Sequence, residues 1–223
     1  MTIIGVTDVH GNEAVLHNMA RQIRSADLVI LSGDITHFGN AGDAEKVLNV
    51  VELYNNSVFA VPGNCDYPDV GAYLSERGIN LDGTSRSYGR YTFAGLGGSL
   101  PTPGGNTPDE RSEEMLADCL RDAVYDHDPD TPLVVVSHQP PFGASCDIAA
   151  DMHVGSRSVR EFIERYKPLV CFTGHIHEST CIDNIGISKL VNSGPLGGGC
   201  CSRVVLTDLN AEISILQENG STV

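Results

Sequence analysis

The chain has 223 residues, 41% hydrophobic and 19% charged, the balance of a globular protein with a sizeable core and room for one large domain or two small ones. Its formal net charge is −15, and only three of its fourteen basic residues are lysines. That argues against a sequence-independent nucleic-acid binder, which needs a basic face to release phosphate counterions. No apolar run approaches the ~20 residues that span a bilayer. "MTIIGVTDVHGN" lacks the basic start of a signal peptide, so a soluble, cytoplasmic protein is expected.

The elements follow in chain order. Thr2–Thr7 is a strand-length apolar run, and after Asn12 the spacing of Val15, Met19 and Ile23 predicts a first helix. Leu28–Leu31 is a second strand. Ala44, Val47, Leu48 and Val51 share a helical face, and Val58–Val61 is a third strand. This alternation through the first 75 residues predicts βαβ units and a parallel sheet. Tyr91–Ala94 is the next strand, followed by the Gly/Pro-rich stretch Gly95–Pro108, read as a long surface loop; it has no G-K-[ST] and no P-loop character. Ser112 caps a helix with Met115, Leu116, Cys119, Leu120 and Ala123 on one face. After the strand Leu133–Val136, a helix is predicted with Val159, Phe162, Ile163 and Tyr166 inward, Ser158 as N-cap and Pro168 beyond its end. The strands Leu169–Phe172, Ile187–Val191, Val204–Leu206 and Ile213–Leu216 complete the chain. The last forty residues hold strands without helices, a tail suited to completing a second sheet packed on the first.

Seven cysteines, at 65, 119, 146, 171, 181, 200 and 201, form no C-x-x-C, which excludes a thioredoxin-like centre and a zinc ribbon. Reduced thiols are expected, with Cys119 and Cys171 as small core hydrophobes and the vicinal Cys200-Cys201 pair incidental.

The chemistry gathers where strands end. Asp8 and His10 follow the first strand and Asp34 the second. Asn64 follows the third, His138 follows "LVVVS", and His175 and His177 follow "LVCFTG". Ligands bind outside the carboxyl ends of strands in α/β sheets, so five strand ends can converge on one crevice. Each feature alone has an ordinary reading as a turn or cap residue; their joint order does not. Oxygen and imidazole donors suit Mn, Fe, Zn, Ni or Mg-type divalent ions. Seven donors exceed one open site and suit two ions about 3.5–4 Å apart sharing a carboxylate.

The series "TDVHGN", "LSGDITHFG", "VPGNCD", "VVSHQPP" and "FTGHIHES" resembles the calcineurin-like metallophosphoesterase superfamily. The resemblance implies one domain over residues 1–223, a four-layer αββα sandwich of two mixed β-sheets flanked by helices. It implies that Asp8, His10, Asp34 and His177 hold one ion. Asp34, Asn64, His138 and His175 would hold the other, with Asp34 bridging and manganese the favoured metal. The activity implied is a binuclear phosphodiesterase in which a metal-bridging hydroxide attacks phosphorus in line. A nuclease, a phosphomonoesterase, or a non-catalytic scaffold like the retromer subunit of similar fold remain as alternatives. The partner expected is a small phosphate ester, with homo-oligomers allowed.

The departure is Cys65, in the catalytic stretch Asn64-Cys65-Asp66. The family pattern has His there, taken to stabilise the transition state and protonate the leaving group; some prokaryotic phosphodiesterase-like members resemble this chain in carrying Cys. Nucleophile, ligand, surrogate for the His, and bystander all stay open for Cys65, the last with His37 or His153 as the acid. Gly95–Pro108 and Pro140–Ser156 are expected to wall the pocket, with Ser156 and Arg157 at a helix start able to approach a phosphate.

Overall fold

The computed structural model describes residues 1–102 and 104–223; Pro103 of the Gly95–Pro108 stretch lies outside the described residues. In chain order the elements are β1 (Thr2–Val6), α1 (Glu13–Asn18), α2 (Ala20–Arg24), β2 (Leu28–Ser32), α3 (Ala41–Glu52), β3 (Val58–Val61), α4 (Pro68–Glu76), β4 (Ser85–Tyr88) and β5 (Tyr91–Leu96). Then come α5 (Glu113–Ala123), β6 (Leu133–Ser137), β7 (Ile148–Ala149), β8 (Met152–His153), α6 (Arg157–Tyr166), β9 (Val170–Thr173), β10 (Cys181–Ile185), β11 (Ser188–Asn192), β12 (Cys200–Thr207) and β13 (Asn210–Gln217).

Two mixed sheets form, one ordered β13-β12-β1-β2-β3 and the other β10-β11-β9-β6-β5-β4. β1, β2 and β3 are parallel, as are β5, β6, β9 and β11. The strands read as continuous apolar runs because each sheet is covered on both faces. Along β2, Leu28 and Ile30 face the other sheet, meeting Phe93, Val134, Val136 and Phe172. The alternate residues Val29 and Leu31 pack under Leu16, Val47, Leu48, Val51, Val70 and Leu74 of the helices. On the far side, α5 and α6 place Leu116, Leu120, Val159, Phe162 and Ile163 on Leu96, Val135 and Leu190. Helices, sheet, sheet and helices thus stack as the four expected layers, with the largest aromatic core between the sheets.

Several expectations are corrected. The first helix is two short ones: Asn12 caps α1 by accepting from Val15 N–H, and the chain breaks at Met19 before α2. α6 is capped by Ser156, whose hydroxyl accepts from Val159 N–H at 3.1 Å; Ser158 instead donates its hydroxyl to the Glu113 carbonyl. Ser112 and Pro168 stand where expected, at the start of α5 and past the left-handed Lys167 that ends α6. The C-terminal strands do not all join one sheet. β10 and β11 extend the second sheet beside β9, whereas β12 returns antiparallel to β1 and β13 pairs with it in the first.

Candidate metal centre

All seven expected ligands come from the carboxyl ends of β1, β2 and β3 in one sheet and of β6 and β9 in the other. The sheets are locked together beneath them. The His138 Nδ1–H donates to the Ser32 carbonyl at 2.8 Å, which crosses from β6 to β2 and leaves Nε2 as the outward lone pair. Thr7 Oγ1 donates to Asp8 Oδ2 at 2.8 Å, and His175 N–H donates to Asp8 Oδ1 at 3.1 Å.

The backbone is strained to do this. Asp8, His10, Asp34 and His175 all adopt left-handed φ, from 46° to 66°. Such residues persist only where surrounding structure holds them, and they concentrate at functional sites. Two glycines make room. A Cβ on Gly63 would overlap the backbone nitrogen and carboxylate of Asp34, and one on Gly174 would overlap Thr7 and Asp8. Each immediately precedes an expected ligand, so G-N and G-H here are requirements of close approach.

The donor atoms converge. His10 Nε2 lies 3.3 Å from His177 Nε2 and 3.7 Å from Asp34 Oδ2. His177 Nε2 is 3.3 Å from Asp8 Oδ1, and His138 Nε2 is 3.4 Å from Asp34 Oδ1 and 3.0 Å from Asn64 Oδ1. The His138 and His175 rings are 5.2 Å apart. Donors bound to one divalent ion at about 2.0–2.2 Å sit roughly 3 Å apart, so this spacing fits. Asp34 neighbours both groups, as a bridging carboxylate must. Two imidazole Nε2 atoms facing each other at 3.3 Å fit a shared cation.

Electrostatics agree. Asp8 and Asp34 are 1% and 2% exposed, and every ion pair they make among the described residues is to histidine. Burial raises the Asp8 pKa, but the His177 hydrogen bond and the His138 charge bring it below the usual carboxylate value. Burial opposes charge on His138, yet Asp34 and Asp8 raise it; the bond to Asp8 raises His177. Burial lowers His10, and burial with His138 alongside lowers His175 to about 4, keeping both rings in the neutral form that binds metal. The pocket's field asks for positive charge.

The Asn64-Cys65-Asp66 turn divides its labour. Asn64 points its amide oxygen at His138. Cys65 N–H donates to Asp34 Oδ1 at 2.8 Å, while its Sγ lies within 4.8 Å of donor atoms of His10 and Asp34. The thiol therefore faces the centre; burial and the Asp34 charge raise its pKa, keeping it protonated. Asp66 turns away and accepts from the N–H groups of Ile35, Thr36 and Gly63 and from the Thr36 hydroxyl. It clips the Asp34 loop to the Asn64 loop, although burial raises it to about 6.

Of the outlying residues, His37 sets its ring edge-on to His10 at 5.4 Å. His153 donates from Nδ1 to buried Asp147 at 2.6 Å. Its β7–β8 hairpin is tied at Ile148 to Ser179, two residues past His177, which brings the Pro140–Ser156 segment to the rim. The expected phosphate contact at Ser156 and Arg157 is pre-empted. Glu113 fills that helix start, accepting from Ser156 Oγ, Arg157 N–H and Ser158 N–H. The Gly/Pro-rich stretch is not a free surface loop either. Ser99 is fully buried, and Arg111 anchors the stretch through Asp82 and Asp109. Sequence reasoning missed Arg111, which carries no motif.

A family model described as calcineurin-like phosphoesterase matches residues 1–179. The chain is 38% identical over 201 residues to uncharacterized protein MJ1162 of Methanocaldococcus jannaschii, covering 87% of this chain and 88% of that one. Its fold is similar to that of a dimetal phosphatase from Danio rerio, with TM-score 0.64, 14% identity, and 96% and 95% of the two chains covered. It is also similar to a novel archaeal phosphodiesterase, with TM-score 0.55, 15% identity, and 97% and 100% covered. With the family match spanning all seven ligand positions, the chain belongs to the calcineurin-like phosphoesterases, a binuclear metal-dependent family.

Proposed function

We propose that this protein is a metal-dependent phosphodiesterase acting on a small phosphate ester, with manganese the favoured ion. The observation that carries the reading is the pair of buried carboxylates, Asp8 and Asp34, balanced by imidazoles alone. Asp8, His10, Asp34 and His177 would hold one ion and Asp34, Asn64, His138 and His175 the other. When bound, the pair supplies a nucleophile drawn from water and Lewis acidity toward the phosphoryl oxygens. The chain's own part is positioning. Ser32 fixes the His138 tautomer, the Cys65 amide orients Asp34, and Asp66 keeps the two ligand loops in register. Cys65 presents a protonated thiol, a weak donor where the usual motif has a stronger one.

Preference for a diester over a monoester rests on charge. Arg111, the half-buried cation near the Asn64 turn, is consumed by Asp82 and Asp109, so little beyond the ions is available to neutralise a dianion. A monoanionic diester asks for less. All seven cysteines are unpaired, which fits a reducing compartment, and we place the activity in the cytoplasm.

The test is hydrolysis of bis(p-nitrophenyl) phosphate with Mn²⁺, compared with p-nitrophenyl phosphate, with chelator, and with Asp34→Asn. Turnover of the diester lost under the last two conditions is expected. No turnover with Mn, Fe, Ni, Zn or Mg would move the protein to the non-catalytic scaffold reading, and faster monoester cleavage would reverse the preference. Nicking of supercoiled plasmid would instead favour a nuclease, against the −15 net charge.

A further inference from the structure

Beside the metal centre lies an open groove of about 550 Å³ lined by Phe38, Gly39, Asn40, Asp43, Tyr67 and Asp69, among others. Its walls belong to the two loops that carry metal ligands. Phe38 is four residues beyond Asp34, and Tyr67 is three beyond Asn64. A ladder of edge-on rings leads from the centre into it: His10 to His37 at 5.4 Å, then His37 to Phe38 at 5.2 Å. On the other wall, Tyr67 lies two residues from Cys65, so their Cα atoms are no more than ~7 Å apart. The walls are joined below by Tyr67 N–H donating to the Gly39 carbonyl at 3.2 Å and by the Asp66 clip. The groove is therefore built into the same rigid turn as the ligands.

Two features go unexplained by folding. Phe38 and Tyr67 are 47% and 49% exposed, and Phe38 holds φ at 52°. A bulky residue in the left-handed region is a costly outlier. Here that cost keeps an aromatic ring in water rather than in the core. The polar lining is one-sided too. At the start of α3, Ala41 N–H is taken by Asp69, Gly42 N–H by the Asn40 side chain and Asp43 N–H by the Asn40 carbonyl. Asp43 is spent on Lys46 and the Asn40 N–H, so the groove offers the Asp69 carboxylate and ring faces, and no vacant helix-start donors for a second phosphate.

Building on the phosphodiesterase reading, we infer that this groove is a specificity subsite for a flat, nitrogen-bearing aromatic group of the ester, of the nucleobase type. The ring would stack on Phe38 or Tyr67, and an amino hydrogen would donate to Asp69, whose Oδ2 alone is taken by Ala41 N–H. Stacking of a base on aromatic side chains carries affinity with little demand on sequence, and the Asp69 carboxylate adds preference for an amino-bearing ring.

The first test needs no turnover. Saturation-transfer NMR of the metal-free protein with adenosine should show transfer to the base protons, weaker for uridine and absent for ribose. The Phe38→Ala, Tyr67→Ala double variant, checked for folding by circular dichroism, should lose it. The second test uses the Mn²⁺-loaded protein on two esters with the same leaving group, p-nitrophenyl adenosine 5′-phosphate and methyl p-nitrophenyl phosphate. The ratio of their kcat/KM should favour the adenosine ester about tenfold or more and fall toward one in the double variant. Equal signals for adenosine and ribose overturn the subsite, as does transfer to phosphocholine in place of adenosine. Failure of the phosphodiesterase reading appears separately, as adenosine binding without hydrolysis of either ester.

Discussion

The backbone N–H of Asp109 donates to the carbonyl of Asn64 at 3.1 Å. Through it the Gly/Pro-rich stretch is stitched to the turn that carries the candidate ligand Asn64. Arg111 stands behind the stitch, with paired contacts of 2.7–2.9 Å to both Asp82 and Asp109. Arg111, Asp82 and Asp109 are half-buried, and leaving hydrogen-bonded groups of this kind unpaired costs roughly 1–3 kcal/mol. Arg111→Leu should therefore lower the free energy of unfolding in urea by about that much and also weaken Mn²⁺ binding. A change below about 1 kcal/mol would mean the pair is energetically idle.

Gly63→Ala tests the close approach behind Asp34. The added methyl must displace the backbone and carboxylate of Asp34, the expected bridging ligand. Disturbing the shell that orients ligands typically costs about 10–100-fold in metal affinity. Titration calorimetry with Mn²⁺ should show a loss in that range; wild-type affinity would contradict the argument.

Cys65→His tests the missing acid. General acid catalysis contributes about 10²–10⁴-fold, most for poor leaving groups. The substitution should raise turnover on alkyl phosphodiesters by about tenfold or more and on p-nitrophenyl esters by less. Unchanged or lower turnover on both classes would assign the proton to another group.

Glu110 gives a pH-dependent loop. The hydroxyls and N–H groups of Thr102 and Thr107 hold its carboxylate, lowering its pKa from 4.5 to about 2. The sign follows from the lowered value: the tether is fully present above about 4.5 and is lost as pH falls toward about 2. Amide exchange at Thr102 and Thr107, corrected for its intrinsic pH dependence, should stay protected at pH 5 and open near pH 2. Glu110→Gln should be open at both.

The convergence of the seven candidate ligands was legible because each sits at the end of a buried apolar strand, and such strands announce themselves. What was not legible follows one rule. β4, "SRSY", is an edge strand with no apolar run to mark it. α4 buries only Val70 and Leu74, too few for a helical period to stand out. β10, "CIDNI", alternates half-exposed residues at the rim of its sheet. The helix break at Met19 and the cap at Ser156 depend on local geometry that several neighbouring residues could have supplied. The division of the C-terminal strands between two sheets depends on which edges were vacant, which no local pattern encodes.

β1 is flanked on one side by β2 and on the other by β12. The strand that presents Asp8 and His10 thus leaves the ribosome some two hundred residues ahead of the strand that seals its edge. Until residue 207 has emerged, one edge of β1 has no native neighbour, and an open strand edge invites foreign pairing. A polypeptide stopped at residue 179, where the family match ends, would strip a partner from β1 and from β9 together. The unmatched remainder is the clasp that closes both sheets.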